Sequence, residues 1–145
     1  MIRRRSLHRA VFVIAGIYNI TWGLFSAFDP QWLFRLADMP PMNYPEIFVC
    51  LAMVIGLYGL IYFQVAWEPE RGWWPAAVGL LGKILGPIGL AELIWSGRWP
   101  AVTVWLVITN DLIWWVPFSL YLYDARATRA ETPCEQKPRV LTGNS

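Results

Sequence analysis

The sequence predicts an all-α, polytopic membrane protein built as a four-transmembrane-helix bundle. Hydrophobic residues make up 57% of the 145 residues and charged residues only 15%, against roughly 25% charged in an average soluble domain. Four apolar stretches each approach the ~20 residues that cross about 30 Å of hydrocarbon. Strands are disfavoured, because an open sheet would leave unpaired backbone groups in lipid.

The predicted chain order is a basic leader (1–9), a transmembrane domain (10–123) and a polar tail (124–145). The tail has too little apolar content to pack, so we expect disorder beyond a short extension of the last helix. The first apolar run is longer than the core of a secretory signal, and we expect it to be retained as a helix. The four predicted spans are 10–28, 46–67, 73–95 and 100–123.

The charge distribution predicts that both termini are cytoplasmic. Basic residues concentrate at the chain ends: Arg3, Arg4, Arg5, Arg9, Arg126, Arg129, Lys137 and Arg139. Basic flanks beside membrane helices are retained on the cytoplasmic side. This is a plainer cause than nucleic-acid binding, so we expect no nucleic-acid partner.

The first loop predicts a short extracytoplasmic helix lying on the membrane surface. Asp29 suits the N-cap of such a helix and Pro30 its first position. The next residues give one or two amphipathic turns, with Trp32, Leu33 and Phe34 toward the membrane. An irregular loop is the alternative.

Small residues recur at helical spacing in the first three spans, and such stripes let membrane helices approach closely. We therefore expect these stripes to face the bundle interior. Pro87 should kink the third span and leave a main-chain carbonyl near Lys83 without its usual donor. The stripes are Gly16, Asn19, Gly23 and Ser26; Ala52, Gly56 and Gly59; and Gly79, Gly82, Gly86 and Gly89.

Each predicted span carries a polar group near its middle. At 1.5 Å per residue, Lys83 lies about 15 Å from the start of the third span and Asp111 about 16 Å from the start of the fourth. An unpaired charge at the bilayer centre costs roughly 2.5–3.5 kcal/mol. We therefore expect Lys83 and Asp111 to pair, with Asn19, Asn110 and Tyr58 filling the remaining hydrogen bonds.

The pair can be a structural ion pair that fixes helix register, or the centre of a ligand or proton site. Trp22 and Trp114 each follow a polar mid-span residue by three positions. They can wall an apolar pocket, face lipid or pack in the core. The candidate binding residues are Asn19, Trp22, Tyr58, Lys83, Asn110, Asp111 and Trp114.

Several motifs occur together in this order: Gly16-x-Tyr-Asn-x-x-Trp-Gly23, Tyr44-Pro-Glu46, Gly56-x-Tyr-Gly59, Gly79-x-x-Gly-Lys-x-x-Gly-Pro87 and Asn110-Asp-x-x-Trp-Trp-x-Pro-Phe118. Together they resemble a group of small bacterial four-helix membrane proteins that is broadly similar to DoxX-like proteins. The resemblance covers about residues 10–123. It implies a four-helix fold and a bacterial inner-membrane location, and it implies no established activity.

Some members of that group are described as alkyl hydroperoxide reductases, which this sequence does not support. Such chemistry needs a reactive and usually partnered cysteine. Cys50 lies in an apolar span and Cys134 in the polar tail, with no CxxC motif. The single histidine, His8, is in the basic leader, and we expect no metal and no cofactor.

Three functions are consistent with these residues. The first is a binding or accessory protein whose polar midplane site holds a lipid, a quinone or a partner helix, alone, as a homodimer or with a membrane subunit. The second is a membrane isomerase or cyclase that acts on an apolar lipid or terpenoid and uses Asp111 as acid or base. The third is a small proton-coupled transporter.

Overall fold

The structure of this chain is a computed structural model that describes residues 2–130, with side chains for residues 2–126. Within this range it contains helices and no strand. The helical elements are α1 (Arg5–Phe28), α2 (Trp32–Leu36), α3 (Pro45–Trp67), α4 (Trp73–Trp95), a 3₁₀ turn (Ala101–Thr103), α5 (Val104–Val107), a π-helical turn (Ile108–Leu112) and α6 (Ile113–Ala130).

Four helical spans are long and apolar enough to cross a membrane, which confirms the predicted four-helix architecture. They are Arg5–Phe28, Pro45–Trp67, Trp73–Trp95 and Ala101–Arg126. We call the bundle end near Arg5 the arginine end and the opposite end, near α2, the loop end. The protein is thus a multi-pass membrane protein.

The observed helix ends differ from the predicted ones. The first helix begins at Arg5 rather than residue 10, so most of the expected leader is helical. The second begins at Pro45, and its N-cap residue Tyr44 makes no side-chain capping hydrogen bond. The last continues to Ala130, so the expected tail is helical over 124–130. The disorder predicted for the rest of the tail lies outside the described residues.

The closest helix pair is α1 and α3, where small residues meet. A Cβ added to Gly23 would lie 2.6 Å from the Ala52 carbonyl oxygen and 2.8 Å from the Gly56 Cα. A Cβ on Gly59 would lie 2.6 Å from the Gly16 carbonyl oxygen. Both stripes therefore act as predicted, because backbone meets backbone where no side chain intervenes.

The glycine stripe of α4 makes only part of the predicted close contacts, and for Gly82 and Gly89 the prediction was wrong. Gly79 packs against the Tyr62 hydroxyl and Gly86 approaches the Asp111 carboxylate. Cβ atoms on Gly82 and Gly89 would meet nothing within 4 Å. The spacing placed all four on one side of the helix, but only part of that side has a neighbour.

The short helix α2 confirms that the first loop contains a helix, at the loop end. Leu33 is buried, and the indole of Trp32 donates to Ser26 Oγ at 2.9 Å. Asp29 does not serve as the N-cap, since Gln31 precedes the helix without a side-chain cap bond. The Asp29 carboxylate instead pairs with Arg35, whose hydrogen bond holds the pKa of Asp29 below its ordinary value.

The α4–α5 connection is a tight turn closed by charge and by glycine. Gly97 has φ 69°, a left-handed conformation that glycine adopts without strain. Arg98 Nη2 lies 2.5 Å from both carboxylate oxygens of Glu92. The third and fourth spans therefore form an antiparallel hairpin.

Candidate functional site

A cavity of about 250 Å³ lies at mid-height between α1, α3, α4 and the π-helical turn. We call it the central cavity. Its remaining wall consists of apolar side chains and glycines of α3 and α4. Five of the seven predicted binding residues line it, which confirms that all four spans contribute polar groups at one level. Its polar lining is Asn19, Tyr58, Tyr62, Lys83, Asn110 and Asp111.

The π-helical turn puts two successive polar residues at the cavity. It interrupts the fourth span at Ile108–Leu112, between α5 and α6. Such one-turn π segments inside α-helices occur frequently at functional sites. Here Asn110 and Asp111 both line the cavity, and the amide Nδ2 of Asn110 donates to Asp111 Oδ1 at 3.1 Å.

Lys83 and Asp111 are neighbours, but their contact is looser than the predicted pair. Lys83 Nζ lies 3.9 Å from Asp111 Oδ1, beyond hydrogen-bond distance. The ammonium nitrogen instead donates to the main-chain carbonyl of Asn110 at 2.7 Å. Both side chains are largely buried, with 7% and 11% of their surfaces exposed. The strongest bond of Lys83 is thus to a neutral acceptor.

The hydrogen bonds expected from Asn19 and Tyr58 to the charged pair are absent from the described contacts. The Asn19 amide Nδ2 donates instead to the Ile55 carbonyl at 3.3 Å, a main-chain acceptor that the close packing of α1 against α3 brings within reach. Buried oxygens of Asn19 and Asn110 (Oδ1 in each) have no hydrogen-bond partner within residues 2–126. The site therefore leaves two buried amide oxygens without a donor from the described residues.

Pro87 has the predicted effect on the carbonyl of Lys83. Proline lacks an N–H, so the carbonyl four residues earlier loses its helical partner. That carbonyl belongs to Lys83, and the indole Nε1 of Trp115 donates to it at 2.8 Å. The helix α4 nevertheless runs unbroken from Trp73 to Trp95. Trp115 thereby ties the fourth span to α4 beside the cavity, a role that the sequence reading did not assign.

Trp22 and Trp114 do not line the central cavity. Trp114 is buried and packs against Tyr18 and Phe118, with Lys83 Nζ 5.7 Å from its ring centre. Trp22 is half-buried and faces Phe48 with ring centres 6.1 Å apart. Trp22 lies three residues beyond Asn19, about 4.5 Å further toward the loop end than this cavity residue. Of the alternatives left open, core packing describes Trp114.

A second polar cluster, at the arginine end, was missed by the sequence reading. Arg4 Nε and Nη2 each donate to the Asp124 carboxylate at 2.9 Å, and this bond raises the pKa of Arg4. His8 Nε2 lies 2.8 Å from Asp124 Oδ2, and both side chains are almost fully buried. One signal was available: His8, Phe12 and Asn19 share one helix face.

An aromatic cluster separates this arginine-end cluster from the central cavity. Its members are the buried rings of Phe12, Tyr62, Phe118 and Tyr121. The Phe12 ring centre lies 4.6 Å from that of Phe118 and 4.8 Å from that of Tyr121. Tyr121 also donates to the Pro69 carbonyl at 2.7 Å. The arginine-end cluster and the central cavity are thus separate sites.

The central cavity offers an amine, a carboxylate, amides and phenols. These groups can hydrogen-bond a polar headgroup and can move a proton between Lys83 and Asp111. Within residues 2–126 no three His, Cys, Asp or Glu side chains cluster as metal ligands.

Comparisons with protein-family models, with curated proteins and with solved structures find no match to this chain.

Proposed function

We propose that this protein is a membrane-embedded binding protein whose central cavity takes an apolar ligand with a neutral, hydrogen-bonding headgroup from the bilayer. Isoprenoid quinones and long-chain carbonyl lipids belong to this class. The observation that carries the proposal is the cavity itself, where Lys83, Asp111 and Asn110 lie within a wall that is otherwise apolar.

Access from the side supports a ligand dissolved in lipid. Leu51 and Val54 of α3 and Val78 of α4 line the cavity, and each is about half exposed at the bundle surface. Gly82 lines it too, and the space beside its Cα is open. A membrane ligand can therefore enter between α3 and α4 without crossing water.

The size and depth of the cavity favour a neutral headgroup over a partner helix. A helix is about 10 Å across, and ligand pockets measure roughly 300–1,000 Å³. The cavity, at about 250 Å³, suits a headgroup whose tail stays in lipid. A charged phospholipid headgroup would pay a large desolvation cost to reach this depth.

The aromatic cluster argues against the transporter alternative. Phe12, Tyr62 and Phe118 fill the space between the central cavity and the arginine end. A substrate path needs open space through this layer, and its rings are fully buried. The central cavity therefore suits a ligand that binds from one side better than a substrate that passes through the protein.

The test uses two matched glycines of α4. Gly82 lines the cavity and Gly89 does not, while a Cβ on either meets nothing within 4 Å. Gly82→Leu should fill the cavity without disturbing packing, and Gly89→Leu is its control. We expect decylubiquinone to bind the wild type and Gly89→Leu in nanodiscs, measured by thermal shift, and not Gly82→Leu. Equal binding to all three would refute the proposal.

A membrane isomerase or cyclase is the second candidate, because the cavity reaches Asp111 and Lys83 does not fill it. Asp111 would then act as acid or base on the bound lipid or terpenoid. Turnover of a labelled terpenoid that Asp111→Asn abolishes, with binding retained, would favour this candidate over simple binding.

We further propose membership of the DoxX-like group and a bacterial inner-membrane location with cytoplasmic termini. Support for membership comes from Lys83, Pro87 and Trp115, which belong to two of the motifs that carry the resemblance and meet where the Trp115 indole reaches the Lys83 carbonyl. Support for orientation comes from exposed Arg3 and Arg9 at the arginine end. Labelling of cysteines introduced at either end, in intact cells, tests the orientation.

A further inference from the structure

Lys83 has the surroundings of a lysine that reacts with carbonyl compounds. It lines a cavity that opens toward lipid, and only 7% of its side chain is exposed. Its hydrogen-bond acceptor within the described residues is the neutral carbonyl of Asn110, at 2.7 Å. A lysine desolvated in an apolar pocket is the usual setting for Schiff-base formation.

The groups around Lys83 suit each stage of such a condensation. Gly79 and Gly82 form the adjacent cavity wall, and Gly82 leaves open space within 4 Å of its Cβ position. Asp111 Oδ1, 3.9 Å from Nζ, is near enough to exchange protons after a small shift and to balance a positive product. The Asn110 carbonyl can accept the N–H of that product.

We propose that Lys83 forms an imine with a long-chain aldehyde dissolved in the membrane. This inference rests on the proposed function, because the aldehyde must enter the central cavity. Asp111 first takes one proton from the Lys83 ammonium, and the freed nitrogen attacks the carbonyl carbon, so that a C–N bond forms as the C=O becomes a hydroxyl. Asp111 then returns its proton to this hydroxyl, which leaves as water. Two of the three ammonium hydrogens and the aldehyde oxygen thus depart as water, the third stays on the protonated imine, and nothing is oxidised or reduced.

The chain offers an unusually clean test, since it holds only two lysines, Lys83 and Lys137. Wild type, Lys137→Arg, Lys83→Arg and Asp111→Asn are placed in nanodiscs with hexadecanal and sodium cyanoborohydride, which reduces an imine to a stable amine. Intact mass and peptide sequencing then locate the adduct and exclude the N-terminal amine.

We expect one adduct per chain at Lys83 in wild type and Lys137→Arg, and none at position 83 in Lys83→Arg. Asp111→Asn should slow adduct formation by roughly a hundredfold, the scale of one lost acid–base group. Gly82→Leu should block labelling, whereas Gly89→Leu should not. An adduct that forms no faster at Lys83 than at Lys137 in the wild type would overturn the proposal.

Hexadecanol separates failure of this inference from failure of the proposed function. It matches the aldehyde in length but cannot form an imine. If hexadecanol binds wild type and not Gly82→Leu, while hexadecanal gives no Lys83 adduct, the imine is refuted and the binding function stands. If neither compound shows binding that Gly82→Leu removes, both proposals fail.

Discussion

The indole Nε1 of Trp115 donates a 2.8 Å hydrogen bond to the main-chain carbonyl of Lys83. Pro87, four residues after Lys83, cannot supply the amide that would normally occupy this carbonyl. A side chain from the neighbouring span therefore completes the α4 helix. Lys83 also donates to the Asn110 carbonyl through its ammonium group. Its main chain and its side chain therefore both bind the fourth span.

Replacement of Trp115 by Phe should lower the free energy of unfolding by about 1–3 kcal/mol, the cost of an unpaired buried carbonyl. The same replacement in a Pro87→Ala background should cost less, because the alanine introduced there has the backbone N–H that proline lacks. A double-mutant cycle by reversible detergent unfolding measures the difference. Trp105→Phe is the control, since that ring is 66% exposed. If Trp115→Phe costs the same with Pro87 and with Pro87→Ala, the indole N–H of Trp115 does not replace the amide that Pro87 lacks.

Replacement of Lys83 and replacement of Asp111 should lower the free energy of unfolding by different amounts, and the two effects should not be additive. Lys83→Met leaves a buried carboxylate without its cation and should cost about 3–5 kcal/mol. Asp111→Leu should cost less, because Lys83 keeps its 2.7 Å bond to the Asn110 carbonyl, whereas Asp111 in Lys83→Met keeps only the longer, 3.1 Å bond from the Asn110 amide. The double replacement should cost less than the sum by about 1 kcal/mol or more. Strict additivity in detergent unfolding would show that the two side chains do not interact.

The contact between α1 and α3 predicts opposite results for two facing glycines. A Cβ on Gly23 would lie 2.6 Å from a backbone oxygen, so Gly23→Ala should destabilise by about 1–3 kcal/mol. Gly56→Ala places its Cβ 3.8 Å from the Gly23 Cα, an ordinary contact, and should change stability by less than about 0.5 kcal/mol. Thermal unfolding of both variants decides, and a larger loss for Gly56→Ala would contradict the structure.

The sequence predicted depth along each helix better than direction around it. Rise per residue sets depth, so Asn19, Tyr58, Lys83 and Asp111 were correctly placed at one level. Direction depends on which neighbour is present, and Gly82 borders the central cavity, with no packed neighbour, although it shares a stripe with packed residues.

The sequence also did not predict the contacts between residues that lie far apart in the chain. His8 and Asp124 are 116 residues apart, and neither belongs to a local motif that would pair them. The π-helical turn at Asn110 likewise has no signal in helical spacing, because it changes that spacing. Both features arise from tertiary packing, which overrides local pattern.

At low pH the fold should lose the stability that the charged Asp29–Arg35 pair contributes at the loop end. Arg35 holds the pKa of Asp29 below its ordinary value, so the charged pair stabilises the fold above the unfolded pKa of about 3.9. That contribution is lost as pH falls through the lower, folded pKa. Wild type should exceed Asp29→Asn slightly in stability at pH 6, and this advantage should shrink progressively as the pH falls below about 3.9. The gap should also shrink in high salt, because both groups are solvent-exposed.

Asp124 should be the most sensitive residue of the arginine end. Its carboxylate accepts two hydrogen bonds from Arg4 and lies 2.8 Å from His8, with only 2% of its side chain exposed. Asp124→Asn weakens all three contacts and should lower the free energy of unfolding by about 2–3 kcal/mol. This loss is smaller than that for breaking a fully buried ion pair, because Arg4 is partly solvated. Glu70→Gln is the matched control: its pair with Arg5 is exposed on both sides and should change stability by less than about 0.5 kcal/mol. Detergent unfolding of both variants measures the difference, and equal small losses would mean that the buried contacts with His8 and Arg4 do not hold the ends of the first and last helices together.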